Sequence, residues 1–503
     1  MYLRKMKLRT GDDKRPYDLV TTSSTIALCA AALAAGYIVF KDDTYLKHAK
    51  SLYELADETR TAGKQGMAMS YYPLTDFYDE LFYAANWMYL ATDDRKYLDE
   101  CESDFVPEFP TEIQSTTLKF TWGFCWDDHS QAAALLYAIN TGKEEWIEQV
   151  KHHLEYWTTG YDGKQVKYTP DGMAWLFQWG ATRHAANTAW IAVVAADRLF
   201  KDTDEELYNK YKKFAKTQMD YFFGNNDLGI SYVLGMGEKN PKTVHHRGAS
   251  GIHDDDWIYL GTEKGDGSRQ TEYAHVLYGA LEGGPNDDGS FTDSVSAYQN
   301  TEVAIDYNAG YTAALCSMIK DYGGKKLDDF PIPEKPKWPE FLISASCNGN
   351  TKSYIEIRVF VMNHSAWPAR VIKDLSFNYF FDVTDLLEGG LSVSDIKPTL
   401  GSYQPSGEKT SISEPIQYKD NIYYVKVSYT DATFIMPTGP TEYKDELIFK
   451  LSLPDNASIG WDTSKHYSFK DLDKGGITPY ITMYDGDKLI WGIEPDGTEP
   501  ESS

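Results

Sequence analysis

The hydrophobic period of this chain changes once, and that change constrains the fold more than any other feature. From about residue 44 to about 320, apolar residues recur at helical spacing. "TDEELYNKYKKFAKTQ" opens with Thr203 or Asp204 as a cap, then sets Leu207, Tyr211 and Phe214 on one face. "EEWIEQVKHHLEYWTTG" does the same with Trp146, Val150, Leu154 and Trp157, and Gly160 is placed to end it. Long helices alternating with polar, glycine-containing loops predict a large all-α domain with its chemistry on the loops. Four prolines in "FPIPEKPKWPEF" then exclude a helix and predict an extended linker. Beyond it the period is two. "YIEIRVFVMN" alternates Ile355, Ile357, Val359 and Val361 against Glu356, Arg358 and Phe360. "IYYVKVSYT" and "DELIFKLSLP" alternate likewise, and "MYDGDKLIW" reads as a hairpin. An antiparallel β-sandwich of roughly 150 residues is expected there.

At 503 residues the chain is too long for one ordinary core, in keeping with two domains. Its 49 basic and 75 acidic residues leave a net charge of −26, which repels nucleic acid and anionic membranes. Aromatic residues make up 14% of the chain, and flat rings with polar tips suit sugar faces, although core packing accounts for most of them. Cys29, Cys101, Cys125, Cys316 and Cys347 are scattered without a CxxC spacing, so buried thiols are expected rather than a zinc site or disulfide framework. "TIALCAAALAAGYIVF" at 25–40 imitates the core of an export signal. Its basic flank lies far upstream, beyond an acidic, polar stretch, so the segment reads as a buried alanine-rich helix and no convincing export signal is found.

The chemistry concentrates in "FTDSVSAYQNTEVAIDYNAGYTAAL". Glu302 stands there among small, apolar and aromatic residues, which disfavour an ionised carboxyl and suit a general acid. In a helix, Asp306 would lie one turn away and its like charge would push the same way. Upstream, "SYVLGMGEKNPKTVHHR" sets His245, His246 and Arg247 together, groups able to hold hydroxyls and orient a carboxylate. "HDDDW" at 253–257 lies in a polar loop without a helical repeat and is not read as a metal or diphosphate motif.

Together these stretches resemble glycoside hydrolase family 9, the inverting cellulases with an (α/α)6 barrel. One family signature, aromatic, Asp, aromatic, Glu and Asn-Ala, runs here as Phe291, Asp293, Tyr298, Glu302 and Asn308-Ala309. The His-x-Arg signature, "HVLYGALEGGP", "WDDHS", "GMAWLFQWGATRHAANTAW" and "YDELFYAANWMY" match in order, over about residues 15–323. The resemblance implies Glu302 as general acid, Asp293 as its supporting carboxylate, and His245 and Arg247 as sugar ligands near the cleavage point. It implies that Tyr307, Trp126, Trp179 and Arg183 stack on or hydrogen-bond glucosyl units. Leu74 replaces a stacking Trp common among relatives. Asp79, Glu80 and Asp127 or Asp128, with Asp128 preferred, resemble the family's structural calcium site, and no cofactor is needed for the chemistry. The β half resembles a family 3 carbohydrate-binding module, its calcium loop altered by Lys465 and His466.

The sequence contains no counterpart of the family's base-bearing "DAGD", so the general base is expected outside this chain and the barrel is read as incomplete at its amino-terminal side. The expected division is a catalytic domain at 1–323, a linker at 324–339, a module at 340–495 and a disordered tail at 496–503. The function implied is an endo-β-1,4-glucanase acting on cellulose or a related β-1,4-glucan, monomeric and extracellular, without nucleic acid or membrane partners. The competing reading is a glucan-binding protein or inactive fragment that holds the chain without cutting it.

Overall fold

The computed structural model describes residues 22–62, 73–74, 76–250, 273, 275–330, 332, 339–365, 369–401, 409–437 and 442–501. "HDDDW" and most of the proline run lie outside them. The chain divides into two compact units, one holding Arg15–Ile252 and Asp256–Pro331, the other including Ile332–Ser503.

Among its described residues the first unit is helical, with eight helices of twelve or more residues. They are α1 (Ser23–Phe40), α2 (Asp43–Thr59), α3 (Tyr78–Thr92), α4 (Ser130–Thr141), α5 (Glu144–Trp157), α6 (Ala181–Ala195), α7 (Glu205–Phe222) and α8 (Ile305–Tyr322). Helix α1 is long and apolar enough to cross a membrane by length and composition alone. In the fold it packs against α2 and α3 and buries Ser23, Ser24, Ala27, Ala30, Ala31 and Ala34. Small side chains at that spacing let neighbouring backbones approach closely. Asp204 caps α7 by accepting from Leu207 N at 3.0 Å, while Tyr211 and Phe214 are buried and Leu207 is half-buried. Trp146, Val150, Leu154 and Trp157 of α5 all enter the core, and Gly160 beyond its end has φ 93°. Helix α6 is buried along almost its whole length and contacts α5, α7 and α8.

The second unit is a two-sheet antiparallel sandwich. One sheet runs Gly476–Ile477, Phe341–Asn350, Tyr354–Asn363, Lys444–Ser452, Lys397–Leu400 in spatial order. The other runs Lys488–Trp491, Ile481–Asp485, Leu375–Asp382, Ile422–Tyr429, Thr410–Ile412, with Ile416–Lys419 also paired to Ile422–Tyr429. Ile355, Ile357, Val359 and Val361 point inward with Phe377, Tyr379, Leu447 and Phe449, as the alternation predicts. "MYDGDKLIW" forms the expected hairpin, with Asp485 opposite Lys488 and Gly486 at φ 59°.

Two expectations are corrected. Cys29 on α1 and Cys316 on α8 are exposed, because they fall on the solvent faces of their helices, whereas Cys101 and Cys125 are buried. Order also extends past residue 496. Glu494 N donates to Thr498 O at 2.9 Å and Thr498 N to Asp496 Oδ1 at 3.0 Å, closing a turn where a disordered tail was expected.

Candidate active site

Glu302 does not lie in a helix. It follows the single turn Tyr298–Thr301, with φ −68° and ψ 142°, and precedes α8. Three backbone bonds hold it: Glu302 N donates to Tyr298 O, Gly283 N to Glu302 O, and His245 N to the preceding Thr301 O. Gly283 is required at that crossing, since a Cβ there would lie 2.2 Å from Gln299 O. The extended conformation removes the one-turn relation to Asp306 that a continuous helix would have created. Asp306 instead pairs with Arg183, at 2.8 Å.

The side chain of Glu302 is half-exposed, and its Oε2 accepts two hydrogen bonds. Trp179 Nε1 donates at 2.5 Å and the Tyr307 hydroxyl at 2.8 Å. Burial, and then the neighbouring Glu302, raise the Tyr307 phenol well above its ordinary range, so it stays a neutral donor. Tyr307 is 2% exposed, and its hydroxyl is engaged by Glu302. Its ring reaches this depth because Gly180 has φ 67° and no Cβ, whose position would fall 2.7 Å from Tyr307 Cζ. Arg183, also largely buried, donates to Asp306 Oδ2 and Trp179 O and lies over the Tyr307 ring, 5.0 Å from its centroid.

An exposed aromatic rim adjoins the carboxyl group. Trp179 and Tyr298 are each about two-fifths exposed, their centroids 4.8 Å apart, and the His245 ring lies 5.7 Å from that of Tyr298. Apolar ring faces beside a carboxyl group suit a pyranose, which presents C–H bonds on its faces and hydroxyls at its edge. His245 Nδ1 donates to Val295 O at 2.7 Å, so a neutral ring carries its proton there. Asp293 makes no hydrogen bond to Glu302. It accepts from Lys242 N at 2.8 Å, Thr243 N at 2.9 Å and the Thr243 hydroxyl, and so fixes the loop that leads into His245. Arg247 opens the short helix Arg247–Ser250 two residues on. Trp126 lies in the two-residue turn of the Cys125–Asp128 bridge. The thiol of the adjoining Cys125 is pushed up to about 11, chiefly by burial, and also feels the charges of Arg183 and Asp306.

Asp79 and Glu80 of the expected acidic cluster are brought together. One ligand atom each from Asp79, Glu80 and His129 lies within 4.8 Å of the others. Asp128, the predicted ligand, is occupied: Oδ2 pairs with Lys119 Nζ at 3.0 Å and Oδ1 accepts from Ser130 N at 3.1 Å. Ser24 donates to Glu80 Oε1 at 2.8 Å and His129 N to Asp79 Oδ2 at 2.5 Å. Burial pushes Glu80 up to about 7. Asp79 is raised by burial and by the Glu80 charge, and burial lowers His129 to about 4. Glu80 Oε2 is buried without a hydrogen-bond partner among the described residues. A buried carboxyl with an orphaned oxygen beside a half-buried one fits a hard cation that would neutralise both. In the second unit, Lys465 Nζ lies 2.6 Å from Asp385 Oδ1.

The profile of glycosyl hydrolase family 9 matches residues 6–315, more than half of the chain. The chain belongs to glycosyl hydrolase family 9. A cellulose binding domain profile matches residues 342–492 of this family 9 protein. It is 36% identical to Endoglucanase B of Cellulomonas fimi over 489 residues, 95% of this chain and 44% of that protein, so it spans under half the length of that relative. It is 35% identical to Endoglucanase A of Bacillus pumilus, covering 93% of this chain and 70% of that one. Endoglucanase CelQ from Clostridium thermocellum, solved in complex with cellotriose, superposes with a TM-score of 0.80 at 42% identity, over 95% of this chain and 77% of CelQ.

Two features of the site were not legible in the sequence. Trp179 was read as a sugar platform, whereas its indole also donates to Glu302. His129 had no assigned role, although its adjacency to Asp128 in "WDDHS" was the available signal.

Proposed function

We propose that this family 9 chain cleaves internal β-1,4 bonds of cellulose or a related glucan with inversion, Glu302 protonating the departing oxygen. The observation that carries this reading is the pair of donors on Glu302 Oε2 beside an exposed aromatic rim. A carboxyl so held has one oxygen engaged and one left to meet a glycosidic oxygen. The names of the relatives, and the cellotriose bound by CelQ, support a β-1,4-glucan as substrate. His245 and Arg247 are assigned to sugar hydroxyls, Trp179 and Trp126 to stacking, and Asp293, Arg183 and Tyr307 to holding the site. Inversion also needs a carboxylate on the opposite face of the ring, roughly 6.5–9.5 Å from the acid. Asp293 and Asp306 are committed to other partners, and the base is assigned outside this chain on the resemblance alone, which finds no counterpart of "DAGD" here. The helical unit is taken as catalytic, the sandwich as a glucan-binding module, and the protein as a monomer acting outside the cell, where a polymeric substrate is met.

The test is product release from a soluble β-1,4-glucan, with and without azide, followed by proton NMR. Azide is a nucleophile that needs no base. It forms a C1–N bond as C1–O breaks, and the departing oxygen takes its proton from the acid. Turnover only with azide, giving the α-glycosyl azide, matches the proposal. Turnover without azide that yields the α-anomer first keeps the acid assignment and places the base within the chain. Products that retain the β configuration, or none at all from a folded chain that binds glucan, overturn it, the latter in favour of a binding protein.

Calcium is assigned to Asp79 and Glu80, with Ser24 Oγ beside them, and its contribution is to stability rather than chemistry. Chelation with EGTA is expected to lower Tm by about 5 °C or more where calcium stood at 100 times its Kd, a stabilisation of about 2.7 kcal/mol. Glu80→Gln should abolish the response.

A further inference from the structure

We propose that Asp306 is a positioning residue for the general acid, holding Arg183 so that Trp179 and Tyr307 stay on Glu302 Oε2 and the transferable proton stays on Oε1. The inference rests on the reading of Glu302 as proton donor. Asp306 stands in the first turn of α8, next to Tyr307 in sequence. Its Oδ2 lies 2.8 Å from Arg183 Nη1. Through Nη2, which also lies 3.0 Å from His184 Nε2, and through its flat face, the same guanidinium reaches both residues that donate to Glu302. Arg183 Nη2 donates to Trp179 O at 3.1 Å, and the plane covers the Tyr307 ring. One largely buried cation therefore braces both donors, and Asp306 is the carboxylate that determines where that cation points.

The consequence for proton transfer follows from the donor count. Oε2 accepts an N–H and an O–H, so in the neutral acid the proton resides on Oε1. As C1–O breaks, that proton passes to the departing oxygen, and the electron pair of the O–H bond remains on Glu302. The resulting carboxylate is then stabilised by the two donors already in place. Without the charge of Asp306, Arg183 is a buried cation with no carboxylate of its own. Glu302 is joined to Arg183 through Tyr307 and Trp179 and is the carboxylate it would turn to. An ion pair there would hold Glu302 ionised, the wrong state for an acid.

The experiment compares Asp306→Asn with the unaltered chain, azide present throughout, on a soluble β-1,4-glucan and on 2,4-dinitrophenyl β-cellobioside. The latter carries a leaving group that departs without a proton. A loss in kcat of about 10–100-fold on glucan, with less than about threefold on the dinitrophenyl substrate, is expected for a misplaced acid. Cellotetraose affinity, measured by calorimetry, should stay within about twofold. Equal losses on both substrates would indicate general damage and overturn the proposal. A second readout is independent of turnover: the 15N-indole resonance of Trp179, assigned with Trp179→Phe. In Asp306→Asn it should move upfield, towards its position in Glu302→Ala, and an unmoved signal overturns the proposal. If the unaltered chain neither cleaves nor binds glucan, the proposed function falls while the indole signal still decides the part played by Asp306.

Discussion

Glu302→Gln is expected to lower glucan cleavage by about 10²–10⁴-fold in the azide-supplemented assay, the span of a lost general acid. Glutamine keeps the shape of the side chain, and its amide oxygen can still accept from Trp179 Nε1 and the Tyr307 hydroxyl. What it lacks is a proton to transfer. The loss should therefore depend on the leaving group. On 2,4-dinitrophenyl β-cellobioside, whose phenolate departs unprotonated, the variant should stay within about tenfold of the unaltered chain. Cellotetraose binding should persist, because the exposed rings of Trp179 and Tyr298 are unchanged. Glucan cleavage that survives the substitution would remove Glu302 from the mechanism. A loss as large on the dinitrophenyl substrate would show that the side chain holds the substrate rather than protonating it.

The second large effect concerns stability and a different carboxyl group. Glu282→Leu is expected to stabilise the chain by about 1–3 kcal/mol at pH 8, the cost of a buried polar group left unsatisfied. Glu282 is fully buried, and neither carboxyl oxygen has a hydrogen-bond partner among the described residues. Its backbone is fixed all the same: Glu282 N donates to Tyr232 O, and the Thr182 hydroxyl donates to Glu282 O. Burial and then the charge of Asp293 raise the carboxyl well above its ordinary range. The folded chain therefore keeps this proton at pH values where the unfolded chain, titrating near 4.3, has released it. Above that pH the residue withdraws stability at about 1.4 kcal/mol per pH unit, up to its folded pKa. The advantage of Leu should accordingly be smallest at pH 4 and grow on the alkaline side. Denaturant midpoints at pH 4 and pH 8 measure it. Glu282→Gln, with no proton to lose, should differ from the unaltered chain with the same dependence on pH as Glu282→Leu. A midpoint difference that does not change with pH would mean that the carboxyl titrates normally.

The sequence carried the architecture because the burial of apolar side chains is periodic, and a period is a local property. The change from helical to alternating spacing located both units. The buried faces of Trp146–Trp157 and Ile355–Val361 follow the predicted spacing residue by residue. The polar turn signals carried the Asp204 cap and the Asp485–Lys488 hairpin for the same reason. Cys29 and Cys316 show the limit of that reasoning. Residue type predicts burial on average, but the side of the helix that meets the core decides it, and that depends on neighbours distant in sequence.

The candidate site divides along the same line. Glu302 and His245 were marked by residue type and company, and Asp293 by the family resemblance, but their partners were not, because each contact crosses between segments far apart in the chain. Trp179 reaches Glu302 across 123 positions, and Asp293 reaches Thr243 across 50. Asp306 looked like a neighbouring charge on a helix, and the extended backbone at Glu302 made it the counter-ion of Arg183 instead. Asp128 was marked by its type and neighbours, but its ion pair with Lys119, nine residues before it, was not. The sequence by itself determined which residues form helices and strands and which carboxyl groups stand in unusual company. Only the tertiary structure decided which donor meets which acceptor. A hydrogen bond needs two groups within about 3 Å, and chain distance does not set that separation.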